Sequence, residues 1–341
     1  MLSSAARATT APPPAGVPGT DSGELHAVAP AGTSGHPILR TFRWLRAAVA
    51  DSIMLFKLRV TALVVMTAWA GFYLGEVQSD IASFNSDLWN TLLGVALVSC
   101  GASALNQVLE RRTDARMART AQRPMAAGRM RLGFGVFLGM AAIISGSLWL
   151  LLTTNPVTGT LTLLTAVLYV GIYTPLKRFT TLATFIGAFP GAMPPLIGWT
   201  AARGAIEWPG VALFAILFIW QFPHFMAIAW LYREDYGRAG IRMLPVVQPD
   251  GWSTAAEALV YAILMVPVSL VPYYLHLAGR VYWVAALLLG LVYLAYTIRF
   301  SRITRSTASD SRRYARSLLK ISVLYLPLLL LVLMLNATGR G

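Results

Sequence analysis

Nine apolar runs, each close to the length that crosses a bilayer, constrain this chain more than any other feature. A helix needs about 20 predominantly apolar residues to span the hydrocarbon core. The composition agrees with membrane insertion, because 56% of the residues are apolar and only 12% are charged. The predicted fold class is therefore all-α, a polytopic membrane protein with about nine transmembrane helices around a central cavity. The predicted spans are 58–75, 88–109, 132–153, 157–173, 180–199, 212–230, 257–275, 281–300 and 318–335.

Lysine and arginine are concentrated in alternate loops. Basic residues precede the first span and follow the second, fourth, sixth and eighth, whereas the other side carries only Arg203, Arg280 and Arg340. The positive-inside rule places the N-terminus in the cytoplasm, and an odd number of spans places the C-terminus outside. The net charge of +14 is therefore mainly a topology signal. The expected surroundings are a lipid bilayer, and no nucleic-acid partner is expected.

Residues 1–40 have a different composition from the rest. They are rich in Ala, Pro, Gly, Ser and Thr, so they are predicted to form a disordered tail before a transmembrane domain at 41–341. The tail lacks the apolar region of a signal peptide and is poor in arginine. This short tail favours a multi-pass protein of the bacterial cell (inner) membrane over one of the mitochondrial inner membrane.

Asn106, Glu110 and Asp114 follow the second apolar run at a spacing of four. Each step of four turns a helix by roughly 40°, so the three side chains share one face. Two carboxylates and an amide make a poor lipid-facing surface, but they suit a hard cation such as Mg²⁺. The pattern predicts a metal site at the cytoplasmic edge of the membrane. A solvated, charged membrane boundary is the alternative.

Basic residues surround this acidic face, and a second acid–base loop follows the sixth span. Arg119 and Arg123 lie in the first loop, and Asp235 and Arg238 lie in the second. Both loops are on the predicted cytoplasmic side, four spans apart, which indicates two parallel halves with sites facing across a cavity. Asp235 is predicted as a fourth metal ligand. The three arginines are predicted to bind a diphosphate; a solvated boundary is again the alternative.

Two further segments place polar groups beside or within apolar runs. Tyr173 and Lys177 flank a proline between the fourth and fifth spans, where lysine can hold a phosphate as a point charge. A topology lysine at a tight turn is the alternative. Gln221 and His224 lie inside the sixth span, deeper in the same cavity. His224 is a candidate base or iron ligand, and a hydrogen bond to a neighbouring helix is the alternative.

An allylic diphosphate suits this combination of residues. A metal held by the carboxylates would reverse the local repulsion and stabilise the departing diphosphate. The prenyl tail belongs in lipid, and the carbocation must be shielded from water. The residues alone predict a membrane prenyltransferase with an apolar acceptor, and they leave the acceptor open. The alternative that is not an enzyme is a transporter, but the acidic groups cluster at one rim and form no relay across the membrane.

Six segments resemble the UbiA family of intramembrane prenyltransferases, and within it the heme branch. They are KLRVT at 57–61, ALNQVLERRTDARMARTAQRP at 104–124, YTPLKR at 173–178, GAFPGAMPPLIGW at 187–199, WQFPHFMAIAWLYREDY at 220–236 and AGIRMLPVV at 239–247. The resemblance covers about 57–335. It implies farnesyl transfer from farnesyl diphosphate to a vinyl group of heme b (protoheme IX), then addition of water, giving heme O and diphosphate.

The resemblance also implies Mg²⁺ as the cofactor and a heme A synthase as a downstream partner. A quinone precursor or another aromatic acceptor is the alternative substrate within the family. The triad matches the first metal motif, except that Glu110 stands where Asp is usual. In the second motif Leu231 replaces an aspartate four residues before Asp235. The implied catalytic residues are Tyr173, Lys177, Asp114 and Asp235, and the implied heme contacts are Gln221 and His224.

Overall fold

The computed structural model describes residues 37–79 and 86–339, and all regular secondary structure in that part of the chain is helical. The all-α fold class is thereby confirmed. The chain divides into two compact units, the first ending at Leu45 and the second formed by Arg46–Gly341. The helices are α1 (Pro37–Leu55), α2 (Leu58–Val77), α3 (Ser86–Asp114), α4 (Leu132–Thr153), α5 (Pro156–Val167), a π-helical segment (Leu168–Tyr173), α6 (Thr174–Leu176), α7 (Ala183–Arg203), α8 (Trp208–Leu231), α9 (Arg233–Ala239), α10 (Leu244–Val247), α11 (Trp252–Tyr274), α12 (Arg280–Phe300), a 3₁₀ helix (Ser301–Arg305) and α13 (Ala308–Leu335).

The predicted tail lies almost entirely outside the described residues, which begin at Pro37. Helix α1 begins there as well, inside the predicted tail of residues 1–40.

Eight helical segments in the described residues are long and apolar enough to cross a membrane. They correspond to eight of the nine predicted spans. The remaining span, predicted at 180–199, coincides with α7, which has 21 residues but falls outside those eight. The count of nine and the cytoplasmic N-terminus therefore stay predictions.

Helix α7 contains Pro190, Pro194 and Pro195. Proline removes a hydrogen-bond donor and clashes with the carbonyl of the preceding turn, so this sequence favours a bent or broken helix. No break interrupts α7 in the structure. It packs between α2 and α8, and neighbouring helices of this kind support prolines within membrane segments.

The closest approach of α2 and α7 depends on two glycines. A Cβ on Gly198 would lie 1.8 Å from the carbonyl oxygen of Ala68, and one on Gly71 would lie 1.9 Å from that of Pro195. The absence of side chains at these positions lets the two backbones touch. Because Lys57 immediately precedes α2, this crossing also positions one side of the site described below.

Gly198→Ala is expected to destabilise the folded protein by at least about 1–3 kcal/mol, because the added methyl group meets rigid backbone. Thermal unfolding of the purified protein in detergent measures the effect. Gly133→Ala in α4 is the matched control, since a Cβ added at Gly133 would have no atom within 4 Å among the described residues. Equal losses in the two variants would contradict close packing of α2 on α7.

Candidate active site

A polar pocket lies where the basic loops meet the ends of the spans. Its walls come from the residue before α2, the end of α3, the loop after α3, the π-helical segment, the residue after α6, and α9 with the turn that follows it. The lining residues are Lys57, Asn106, Glu110, Asp114, Met117, Arg119, Thr120, Arg123, Tyr169, Tyr173, Lys177, Tyr236, Ile241 and Met243.

Asn106, Glu110 and Asp114 form one wall of the pocket, at the C-terminal end of α3. Their spacing of four gives them one face, as the sequence pattern predicts. All three are buried, with 1%, 8% and 1% of their surfaces exposed. The Asn106 amide donates to Glu110 Oε2 at 3.0 Å and to Thr174 Oγ1 at 3.2 Å, which fixes the orientation of the amide.

Each polar side chain of this wall meets a basic side chain. Lys57 Nζ donates to Asn106 Oδ1 at 2.7 Å, and Lys177 Nζ donates to Glu110 Oε1 at 2.8 Å. Arg123 Nη1 donates to both oxygens of Asp114, at 2.9 and 2.8 Å. Three cations thus face two carboxylates, and this excess of positive charge suits an anionic ligand.

The two lysines differ in their electrostatic surroundings. Burial lowers the pKa of Lys57 to about 7, and the nearby charges of Arg123 and Lys177 act in the same direction. Burial alone would also lower the pKa of Lys177, but adjacent Tyr173 and Glu110 raise this pKa above its usual value. Lys177 therefore holds its positive charge more firmly than Lys57 does.

The π-helical segment places two aromatic rings against the pocket. Tyr169 and Tyr173 lie near its two ends, with ring centroids 5.6 Å apart. Lys177 Nζ lies 4.3 Å from the centroid of the Tyr173 ring, a cation–π arrangement. Short π-helical segments of this kind are frequent at functional sites.

The two acid–base loops contact each other over the pocket. Arg119 of the first loop lies 4.6 Å from the ring centroid of Tyr232 and 4.7 Å from that of Tyr236. A small apolar cluster that includes Met117 and Ile241 joins the same loops. Aromatic rings and a guanidinium thus join the two loops, and the predicted facing of two acid–base sites across a cavity stays a prediction.

Asp235 and Arg238 do not line the pocket in the structure. The two side chains pair with each other on α9, while their neighbour Tyr236 lines the pocket. Metal ligation by Asp235 would require its carboxylate to leave Arg238 and turn inward. That role stays a prediction.

Gln221 and His224 lie within α8, away from the lining of this pocket. The Gln221 amide donates to the carbonyl of Ala188 in α7 at 2.8 Å. His224 Nδ1 lies 2.8 Å from Ser322 Oγ in α13. The position of His224 is thus compatible with both sequence hypotheses, a hydrogen bond to a neighbouring helix and a ring nitrogen that serves as base or ligand.

Lys57 is the main pocket residue that reasoning from the sequence does not assign to the site. It precedes a span, where a basic residue also serves as a topology signal. Its backbone has a φ of 46°, which turns its side chain out of the helical path between α1 and α2. The presence of this lysine in the KLRVT segment is the one hint that the sequence offers. Because Lys57 and Asn106 are 49 residues apart, their contact cannot be predicted from spacing along the chain.

The donor set of the pocket fits Mg²⁺. The described residues contain no group of three or more His, Cys, Asp or Glu side chains able to hold a metal by themselves. Mg²⁺ does not need such a group, because it commonly binds one or two carboxylates and completes its shell with water and substrate phosphates. Glu110, Asp114 and the amide oxygen of Asn106 supply hard oxygen ligands of this type.

Fold and site together define a polytopic helical membrane protein with a buried acid–base pocket at one edge of the bundle. Residues 63–334 match the model of the UbiA prenyltransferase family, and the chain belongs to that family. It is similar to the protoheme IX farnesyltransferase of Koribacter versatilis, with 52% identity over 84% of this chain and 93% of the relative. The protein of that name from Solibacter usitatus is 45% identical over 85% of this chain and 99% of the relative.

Solved structures show the same fold. A structure of digeranylgeranylglyceryl phosphate synthase in membranes has a TM-score of 0.69 at 16% identity and covers 84% of this chain and 98% of its own. A UbiA homolog from Archaeoglobus fulgidus, bound to DMAPP and Mg²⁺, has a TM-score of 0.56 at 13% identity, over 81% of this chain and 99% of its own.

Proposed function

We propose that this chain transfers the farnesyl group of farnesyl diphosphate to a vinyl group of protoheme IX. The bond between farnesyl C1 and the diphosphate breaks, and a vinyl carbon bonds to C1. Water adds to the resulting cation with loss of a proton, which gives heme O and free diphosphate. The observation that carries the proposal is the buried wall of two carboxylates and an amide facing three cations. The names of the relatives, at 52% and 45% identity, support the choice of substrates.

The cationic residues of the pocket bind the diphosphate. Lys57, Lys177 and Arg123 leave their present partners and donate to phosphate oxygens, while Arg119 adds a further positive charge at the rim. Charge-assisted hydrogen bonds of this kind are about twice as strong as neutral ones. Tyr173 stays over the Lys177 ammonium and excludes water from the diphosphate side. The predicted contribution of Arg238 requires it to leave Asp235.

Asn106, Glu110 and Asp114 would hold Mg²⁺, with Asp235 as the predicted fourth ligand. Lys177 and Arg123 pair with the two carboxylates, so their move to the diphosphate would free both carboxylates for the metal. When bound, Mg²⁺ supplies the positive charge that stabilises the departing diphosphate. The Archaeoglobus fulgidus homolog bound to DMAPP and Mg²⁺ supports a metal cofactor in a protein of this fold.

The acceptor binds deeper in the bundle, beside α7 and α8. Gly187 of α7 packs on the ring of pocket residue Tyr173, and the next residue, Ala188, accepts a hydrogen bond from Gln221. Gln221 therefore adjoins the diphosphate pocket through α7, and His224 lies three residues further along α8, against α13. This position suits an apolar macrocycle whose vinyl group must reach farnesyl C1 in the absence of water.

The protein is expected in the bacterial cell (inner) membrane, with the diphosphate pocket open to the cytoplasm where soluble prenyl diphosphates arrive. The alternation of basic loops supports this orientation. A heme A synthase is the expected downstream partner, because it would use the heme O formed here.

Incubation of the purified full-length protein with heme b, farnesyl diphosphate and Mg²⁺ tests the proposal. Mass spectrometry of the extracted heme should show the added mass of a farnesyl group and one hydroxyl group. A chelator should stop the reaction, and excess Mg²⁺ should restore it. A prenylated quinone precursor in a parallel reaction, with unchanged heme, would overturn the assignment of the acceptor.

Lys57→Met is expected to weaken binding of farnesyl diphosphate by roughly 10- to 100-fold, the cost of one hydrogen bond to a charged group. Isothermal titration of the detergent-solubilised protein with a non-hydrolysable farnesyl diphosphate analogue measures this. Arg59→Met is the matched control, because Arg59 is basic, exposed and outside the pocket lining. Equal affinities for wild type and Lys57→Met would remove Lys57 from the anion site.

A further inference from the structure

Ser322 of α13 makes a polar contact with the His224 ring. Its Oγ lies 2.8 Å from His224 Nδ1 and also donates a hydrogen bond to the carbonyl of Leu319, at 2.8 Å. A serine hydroxyl carries one proton and two acceptor sites. With that proton directed to Leu319, the hydroxyl is assigned as the acceptor at His224. This assignment places the proton of the neutral imidazole on Nδ1 and the lone pair on Nε2.

The surroundings hold this arrangement in place. The rings of Trp220 and His224 stack with centroids 4.8 Å apart and planes 23° apart. The Trp220 indole donates to the carbonyl of Ser322 at 2.9 Å, and Tyr293 donates to the carbonyl of Trp220 at 2.9 Å. Ser322 itself is fully buried. Contacts from three helices, α8, α12 and α13, thus hold the plane of the His224 ring and the position of Ser322.

Nε2 of His224 makes no hydrogen bond within the described residues, and the side chain is only partly buried. It is also not among the fully enclosed polar atoms that lack a partner in this part of the chain. An imidazole with Nδ1–H bound to the protein and an accessible Nε2 lone pair is the form that coordinates metals.

We propose that Ser322 is a positioning residue that presents His224 Nε2 to the iron of the porphyrin acceptor. This inference rests on the proposed function and names how the substrate is held. Coordination of the iron by His224 would fix the centre of the macrocycle. Rotation of the macrocycle about the iron–nitrogen bond would then decide where the vinyl group points. The neutral serine leaves the ligand an imidazole, whereas a carboxylate partner would increase its basicity. The bond between His224 and the iron is therefore weak enough to break when the product leaves.

Resonance Raman and optical spectra of the ferrous heme complex test the proposal in the full-length protein. Wild type should show an iron–histidine stretching band, and His224→Ala should lose it. His224→Ala should also bind heme at least about 10-fold more weakly, because loss even of a residue that only orients a metal ligand costs 10- to 100-fold, with unchanged affinity for farnesyl diphosphate. His276→Ala is the matched control and should leave the spectrum, heme affinity and turnover unchanged, because His276 makes its contacts through its backbone.

Ser322 is tested by two substitutions in the same assay. Ser322→Ala should keep the heme but shift the iron–histidine band, and Ser322→Thr should restore the wild-type frequency because its hydroxyl can accept the same hydrogen bond. KM for heme should rise several-fold in Ser322→Ala, while KM for farnesyl diphosphate stays constant. An unshifted band in Ser322→Ala, at a thermal stability equal to that of wild type, would overturn the role of Ser322.

The outcomes separate this inference from the proposed function. Heme O production by a wild-type protein that shows no iron–histidine band would overturn the inference alone. A clear histidine band without any farnesylated heme would overturn the proposed function and leave a heme-binding site. If Ser322→Ala does not fold, Ser322→Cys and Ser322→Thr still decide the matter, because a thiol is a much weaker acceptor at nearly the same volume.

Discussion

Asp114→Asn is expected to lower farnesyl transfer by at least about 100-fold, because loss of a metal ligand exceeds the 10- to 100-fold effects typical of residues that only orient ligands. Asp114 is 1% exposed, and both of its oxygens accept hydrogen bonds from Arg123. Asparagine keeps the shape and one acceptor oxygen for the guanidinium. Because the shape is kept, the fold should be retained. Because the negative charge that the metal needs is removed, farnesyl transfer should be lost.

Turnover of heme b to heme O, measured at saturating Mg²⁺, gives the size of the effect. Asp51→Asn is the matched control, because both oxygens of Asp51 also accept hydrogen bonds from an arginine, Arg129, and Asp51 does not line the pocket. Its turnover should equal that of wild type. Normal activity in Asp114→Asn would show that Asp114 does not hold the metal, and an equal loss in both variants would point to general damage.

Lys177→Met is expected to reduce kcat/KM for farnesyl diphosphate by about 10²- to 10³-fold, similar to the loss of one donor that stabilises developing negative charge. Lys177 Nζ is held at 2.8 Å from Glu110 and 4.3 Å from the centre of the Tyr173 ring, so it is already placed for the leaving group. Methionine approximates the length of the side chain and lacks the charge. The lost charge affects both the binding of the diphosphate and the stabilisation of its departure.

Substrate affinity and single-turnover rate are measured separately, so that an effect on diphosphate binding is distinguished from an effect on its departure. Arg178→Met is the matched control, since Arg178 is the adjacent basic residue and reaches the carbonyl of Leu109 outside the pocket. We expect wild-type kinetics in that control. If Lys177→Met weakens substrate binding and leaves the single-turnover rate unchanged, Lys177 binds the diphosphate without stabilising its departure.

The parts of the site that local spacing specifies are predictable from the sequence. Asn106, Glu110 and Asp114 share a face because helical geometry alone brings residues four apart together. Arg123 follows nine residues after Asp114, close enough for the chain to fold back upon the acid. The all-helical class also follows directly, because long apolar runs in a bilayer have to satisfy their own backbone hydrogen bonds.

Contacts between distant parts of the chain are not predictable in the same way. Lys57 and Asn106 are 49 residues apart, and their contact depends on how α2 and α3 pack. Asp235 has the residue type expected of a ligand, yet Tyr236 lines the pocket, because the orientation of α9 decides which side chain points inward. The contact of Ser322 with His224 spans 98 residues and has no signal in the sequence.

The sequence by itself determined that this chain is a helical membrane protein, which loops are basic, and that one helix face carries oxygen ligands. Hydrophobic runs, charge alternation and helical periodicity are local properties, so they act before any helix meets another. Only the tertiary structure decided which cation meets which oxygen and which nitrogen of His224 contacts Ser322. Those pairings depend on helix crossings such as that of α2 and α7, where Gly71 and Gly198 set the approach to within backbone contact.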